Sequence, residues 1–215
     1  MRAQFRTARS MLVLFVLFIF LGIGTTTSSF AEDKKANDFP NVKLKTQDGK
    51  VVRFYDDLIK DKIVIINFMY TQCKGICETG TANLVQVQKA LGDHLGRDVF
   101  IYSITLDSEH DTPKVLKSYA ENHGAMPGWT FLTGNAEDIT TLRNKLGLSN
   151  LSPDLRRELG LAIKNSKPGA GQKQHSGMVL IGYDAFNKWE KVSITSRPDH
   201  ILEVIERMKP PQDHS

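Results

Sequence analysis

The stretch Lys62–Met69 (KIVIINFM) constrains this chain more than any other part of it, because it is a near-continuous run of apolar, mostly β-branched residues. A half-exposed strand alternates apolar with polar. A run without that alternation needs cover on both faces, which helices packed on either side of a sheet supply. Val99–Leu106 (VFIYSITL) is a second run of the same kind. Helical spacing lies around them. Thr81–Leu91 carries Leu84, Val87 and Leu91 on one stripe. Asp111-Thr112-Pro113 opens a helix that reaches about Asn122, with Asp111 as its capping residue and Pro113 in the first turn. Ala136–Leu146 is closed by Gly147, and Pro198–Met208 ends the folded chain.

Shorter strands are expected at Trp129–Leu132 and Met178–Tyr183. Trp189–Thr195 is a hairpin partner to the latter, and Trp129 is a core residue. Pro153–Leu159 reads as a short helix inside an otherwise irregular segment, 148–174. Upstream, Asn41–Phe54 alternates about Asp48-Gly49, a hairpin signal. The order is a β-hairpin, then β-α-β-α-β-α, then β-β-α. It predicts an α/β fold, a mostly parallel sheet with helices on both faces and antiparallel strands added at the hairpins. That is a thioredoxin-like fold, a central mixed sheet flanked by helices, with an N-terminal β-hairpin extension. It occupies residues 41–209, after a polar tether (32–40) and before a tail (210–215).

The N-terminus reads as an export signal or membrane anchor over residues 1–31. Arg2, Arg6 and Arg9 precede the apolar run Met11–Gly24, and Ser29-Phe30-Ala31 offers small residues for cleavage before Glu32. Both readings put the remainder outside the cytoplasm, because flanking arginines stay inside. The expected location is the periplasmic side of a bacterial inner membrane. Without residues 1–31 the chain holds 25 basic and 24 acidic residues. A nearly neutral domain has no electrostatic basis for nucleic-acid binding.

Cys73 and Cys77 are the only cysteines. They follow the first central strand, at the end of a sheet where α/β folds place their sites. A helix starting near Glu78 favours thiolate over thiol through its N-terminal dipole. As a staple the pair is poor, since the closed loop is tiny and removes little chain entropy. Two thiolates suit a soft metal such as Cu(I), and an added imidazole also admits Cu(II); the same pair can cycle between dithiol and disulfide. The residues alone do not choose between metal and redox chemistry. Of six histidines, His94, His110, His123, His200 and His214 read as solvated. His175 precedes the Met178 strand, where a thioredoxin carries its cis-proline, and so faces the cysteine loop. Asp107 ends a strand near the site and is a candidate to orient a ligand or contact metal.

Four stretches in order resemble the SCO/SenC family of copper-handling assembly factors for cytochrome c oxidase. They are Phe68-Met69-Tyr70-Thr71-Gln72-Cys73 with Cys77, Leu106–Pro113 (LDSEHDTP), Pro127–Gly134 (PGWTFLTG) and His175-Ser176 before a strand. The resemblance runs from residue 40 to 208. It implies copper, as Cu(I) or Cu(II), held by Cys73, Cys77 and His175. It also implies delivery to the oxidase's binuclear copper centre, whose copper-site subunit, or another exported copper protein, is the partner. The alternative it leaves is a thiol–disulfide oxidoreductase that keeps the client's cysteines reduced and draws on a thiol reductant. A peroxidase on the same fold is a third reading. A metallochaperone of this kind is a binding protein rather than an enzyme. The chain departs from the family at Lys74, Gly75 and Glu78, where Pro-Asp and Pro are usual, and at Gln174, where Asp is common. Lys74 adds a positive charge beside Cys73 and Glu78 a negative one beside Cys77, with opposite effects on the two thiols.

Overall fold

Strand β3 (Ile63–Met69) is buried along its whole length, as a run without alternation requires. The computed structural model describes residues 39–149 and 177–210. The helix expected at Pro153–Leu159, His175, the N-terminal apolar run and residues 211–215 of the C-terminal tail lie outside the described residues. Around β3 the chain runs through β1 (Lys43–Thr46), β2 (Val51–Arg53), a π-type turn at Phe54–Ile59, and then β3 itself. It continues with helix α1 (Ile76–Leu91), β4 (Val99–Thr105), α2 (Pro113–Asn122), β5 (Trp129–Gly134), α3 (Ala136–Lys145), β6 (Met178–Tyr183), β7 (Lys188–Ser193) and α4 (Pro198–Met208).

Among the described residues the strands form one seven-stranded sheet in the order β2-β1-β5-β4-β3-β6-β7. β3, β4 and β5 are parallel to one another. β1 joins β5 antiparallel, and β6 joins β3 antiparallel. With the two hairpins, antiparallel pairings outnumber parallel ones, so the sheet is mixed rather than mostly parallel. The final hairpin enters antiparallel, β6 against β3 and β7 against β6, as expected.

The alternate residues of β3 feed two cores. Ile63, Ile65 and Met69 pack with Leu84 and Val87 of α1, Leu116 of α2 and Ile201, Val204 and Ile205 of α4. Val64, Ile66 and Phe68 pack with Ile139 and Leu142 of α3 and with Phe54 and Ile59 of the π-type turn. Each fully buried side chain of this size contributes roughly 1.5–3 kcal/mol over leaving it exposed. Asn67 is the polar break in the run. Its side-chain oxygen accepts from Ser103 Oγ at 2.8 Å, and Ser103 Oγ in turn accepts from the Trp129 indole at 2.9 Å. That chain satisfies three buried polar groups and makes Trp129 a core residue, as expected. Cys73 and Cys77 belong to the first core. Among the described residues no helix is long and apolar enough to cross a membrane.

Candidate functional site

β3 ends at Met69, and the Leu106 N–H donating to Met69 O at 2.8 Å holds the ends of β3 and β4 together. The chain then turns, with the Cys73 N–H donating to Tyr70 O at 3.1 Å. Gly75 takes φ +95°, a left-handed conformation in which a side chain is strained, and α1 begins at Ile76. The helix therefore starts two residues before the position expected from Glu78. The reason is local: the Glu78 carboxylate reaches back to accept the Gly75 N–H at 3.4 Å, so Glu78 caps the first turn from within. Cys77 then lies inside the first helical turn, and Cys73 sits opposite it. The two form a disulfide with Cα atoms 5.8 Å apart. Both are buried, at 8% and 3% exposure, so the sulfurs face the core rather than open solvent. On reduction, the N-terminal dipole of α1 favours thiolate at this point.

The turn after β4 faces the cysteine loop. Asp107 shapes it: its N–H donates to Thr105 Oγ1 at 2.9 Å, its carboxylate accepts the His110 N–H at 3.4 Å, and its carbonyl accepts the Asp111 N–H at 2.7 Å. Asp111 is not the cap of α2. Thr112 is, its hydroxyl accepting from the Val115 N–H at 3.4 Å. One residue earlier, the Asp111 side chain turns inward and is fully buried. It accepts the Thr71 N–H at 3.0 Å and the hydroxyls of Thr71 and Thr105, and it lies 2.9 Å from His110 Nδ1.

His110 is half-exposed but not simply solvated. The Gln72 amide Nε2 lies 2.9 Å from its Nε2. An amide nitrogen is a donor, so His110 Nε2 accepts and Nδ1–H donates to Asp111. Sequence reasoning missed Thr71, Gln72, His110 and Asp111 as a group. Their signal was there: two residues directly before Cys73, and a carboxylate in a strand-end turn. His123 also makes a defined contact, Nδ1 to Tyr119 O at 2.8 Å. Among the described residues, no group of three or more His, Cys, Asp and Glu side chains is disposed to hold a metal ion. The donor chemistry that fits copper is the reduced cysteine pair, with the third expected donor, His175, outside the described residues.

A cysteine pair at the carboxyl end of a central parallel strand, closed across the first turn of the following helix, on a mixed sheet with helices on both faces, defines a thioredoxin-like protein with a disulfide-forming site. Within that class the chain belongs to the SCO1/SenC family, whose model matches residues 31–208. It is 36% identical over 95 residues to the SCO1 protein homolog of Bacillus subtilis (strain 168), a match covering 44% of this chain and 48% of that relative. The matched part thus spans about half of that relative's length. The fold is similar to that of Bradyrhizobium japonicum ScoI with copper bound (TM-score 0.58, 20% identity, 78% of this chain and 96% of that one). It is equally similar to BsSco, a member of the Sco family of cytochrome c oxidase assembly proteins in which a disulfide switch was identified (TM-score 0.58, 24% identity, 79% and 92%).

Proposed function

We propose that this chain is an exported copper-binding protein of cytochrome c oxidase assembly, which delivers copper to the oxidase's binuclear centre using Cys73, Cys77 and His175. The observation that supports it best is the cysteine pair itself. Two sulfurs near enough to join each other are, once reduced, near enough to grip one soft ion. Family membership and a copper-bound fold neighbour point the same way. Copper is the cargo, and the chain's own groups bind and orient it. Cys73 and Cys77 supply sulfur, held at a helix N-terminus that favours thiolate, and His175 supplies nitrogen. Asp107, in the turn after β4, is the residue we assign to steady a donor. Residues 1–31 export or anchor the domain on the periplasmic side of the inner membrane, and residues 32–40 tether it.

The test is a titration of fully reduced protein with Cu(I), then with Cu(II). The reduced chain takes up stoichiometric copper, and Cys73→Ser and Cys77→Ser lose it. His175→Ala alters the nitrogen signature in the Cu(II) resonance spectrum; an unchanged spectrum excludes His175. The disulfide in the structure favours a second reading, a thiol–disulfide reductant of client cysteines. Deleting the gene and adding copper separates the two: rescue of oxidase activity supports delivery, and failure of rescue supports thiol chemistry. Mass measurement of the exported protein decides between cleavage before Glu32 and anchoring.

A further inference from the structure

Asp111 is the most heavily committed side chain near the cysteines, and no role described so far accounts for it. Burying a carboxylate is costly unless donors surround it. Here they do: the Thr71 N–H, the Thr71 and Thr105 hydroxyls and the His110 imidazole converge on its two oxygens. Three of these lines lead to the chain just before Cys73. Two go directly through Thr71, and one goes through His110 to the Gln72 amide. The anchors on the other side are β4, through Thr105, and the start of α2, through Asp111's own place before Thr112. No sulfur takes part in these bonds, so the network does not depend on the disulfide being closed.

We propose that Asp111 is the positioning residue of the cysteine pair, clamping residues 71–73 to β4 and α2 in the dithiol as well as the disulfide. Cys77 rides on the first turn of α1, whose helix is packed into the core. With Cys73 clamped, the two thiols of the reduced protein stay within reach of each other. Their effective concentration is high, and closure is favoured over a loop free to wander. Against glutathione the reaction is protein dithiol plus glutathione disulfide giving protein disulfide plus two reduced glutathiones. The pair's two electrons and two protons pass to glutathione, and a loosened clamp lowers the equilibrium constant.

The inference rests on the pair being the working site, but its test contains neither copper nor client, so a failed clamp and a failed copper titration are separate results. Metal-free full-length protein is equilibrated in glutathione buffers and the dithiol fraction is read by alkylation and mass. Thr71→Val keeps the side chain's shape and cuts one arm of the clamp. The bond itself counts equally in both redox states, so the effect is the freedom that the dithiol alone regains, a shift toward dithiol of about fivefold. Asp111→Asn shifts it in the same direction by at least as much. His110→Ala, which removes the Gln72 arm and one of Asp111's donors but leaves both Thr71 bonds, shifts it by about twofold. The comparator is Gln88→Met. Gln88 is buried at the far end of α1, where it accepts from the Met126 N–H at 2.9 Å and donates to Gly124 O at 2.7 Å. Its replacement lowers the melting temperature without moving the thiol equilibrium. A Thr71→Val equilibrium no different from that of Gln88→Met overturns the proposal, and it does so even if Asp111→Asn fails to fold.

Discussion

The two limbs of the cysteine loop are built in opposite ways. Before Cys73, Thr71 is tied by backbone and side chain to a fully buried carboxylate, and Gln72 is latched to an imidazole held by the same carboxylate. After Cys73, Lys74, Gly75 and Ile76 are exposed, Ile76 at 41%, and a Cβ added at Gly75 would meet nothing within 4 Å. One limb is held by oriented polar contacts to β4 and α2; the other is exposed, with the Gly75 N–H donating to Glu78, in a conformation that suits glycine. The contrast assigns rigidity to one sulfur's approach and freedom to the chain between the sulfurs. Such a division suits a cysteine pair that cycles between dithiol and disulfide.

The largest expected effect lies on the clamped side. Asp111→Ala strips the acceptor from the half-buried Thr71 hydroxyl, the buried Thr105 hydroxyl and the Thr71 N–H. It costs about 2–4 kcal/mol, in the range for breaking a buried charged network. Urea unfolding monitored by circular dichroism measures it, and a loss below about 1 kcal/mol would erase the contrast between the limbs.

A smaller effect is expected on the open side. Gly75→Ala meets no steric obstacle, yet it forces a side chain to φ +95°. The strain costs about 1–2 kcal/mol. Measuring both variants in oxidised protein ranks the limbs directly. Combining them sharpens the ranking: nearly additive losses mean that the clamp does not depend on the open limb, whereas a coupling above about 0.5 kcal/mol means that the limbs act as one unit.

What the sequence disclosed follows the same division. β6 and α4 were legible to the residue from apolar periodicity, and the burial of Trp129 was foreseen. Cys73 and Cys77 were legible as a pair because two residues of one reactive type stood at a strand end. Asp111 was misread. Asp-Thr-Pro satisfies the rules for a helix start with either of its first two residues as the cap, and only the tertiary structure turns the aspartate inward and leaves the cap to Thr112. His110 was misread for a related reason. A histidine in a polar turn looks solvated unless the carboxylate that orients it is known to be buried behind it. The start of α1 was placed late, because the internal cap from Glu78 is a side-chain contact that sequence spacing does not show.

The smallest expected effect concerns Lys74, which is exposed and directly follows Cys73. Lys74→Ala changes stability by less than about 0.5 kcal/mol, as surface substitutions generally do. It acts on reactivity instead. A positive charge beside a thiol favours the thiolate, and an exposed charge a few ångströms away is worth no more than about 1 kcal/mol in water, so removing it slows alkylation of the reduced protein by about two- to threefold near neutral pH. The sign has two consequences that separate it from a packing effect. Raising the salt screens the lysine and brings the wild-type rate down toward the variant's. Raising the pH until the thiols are fully ionised brings the two rates together from the other side. A difference that persists at high salt and high pH would place Lys74 with the clamped limb rather than the open one.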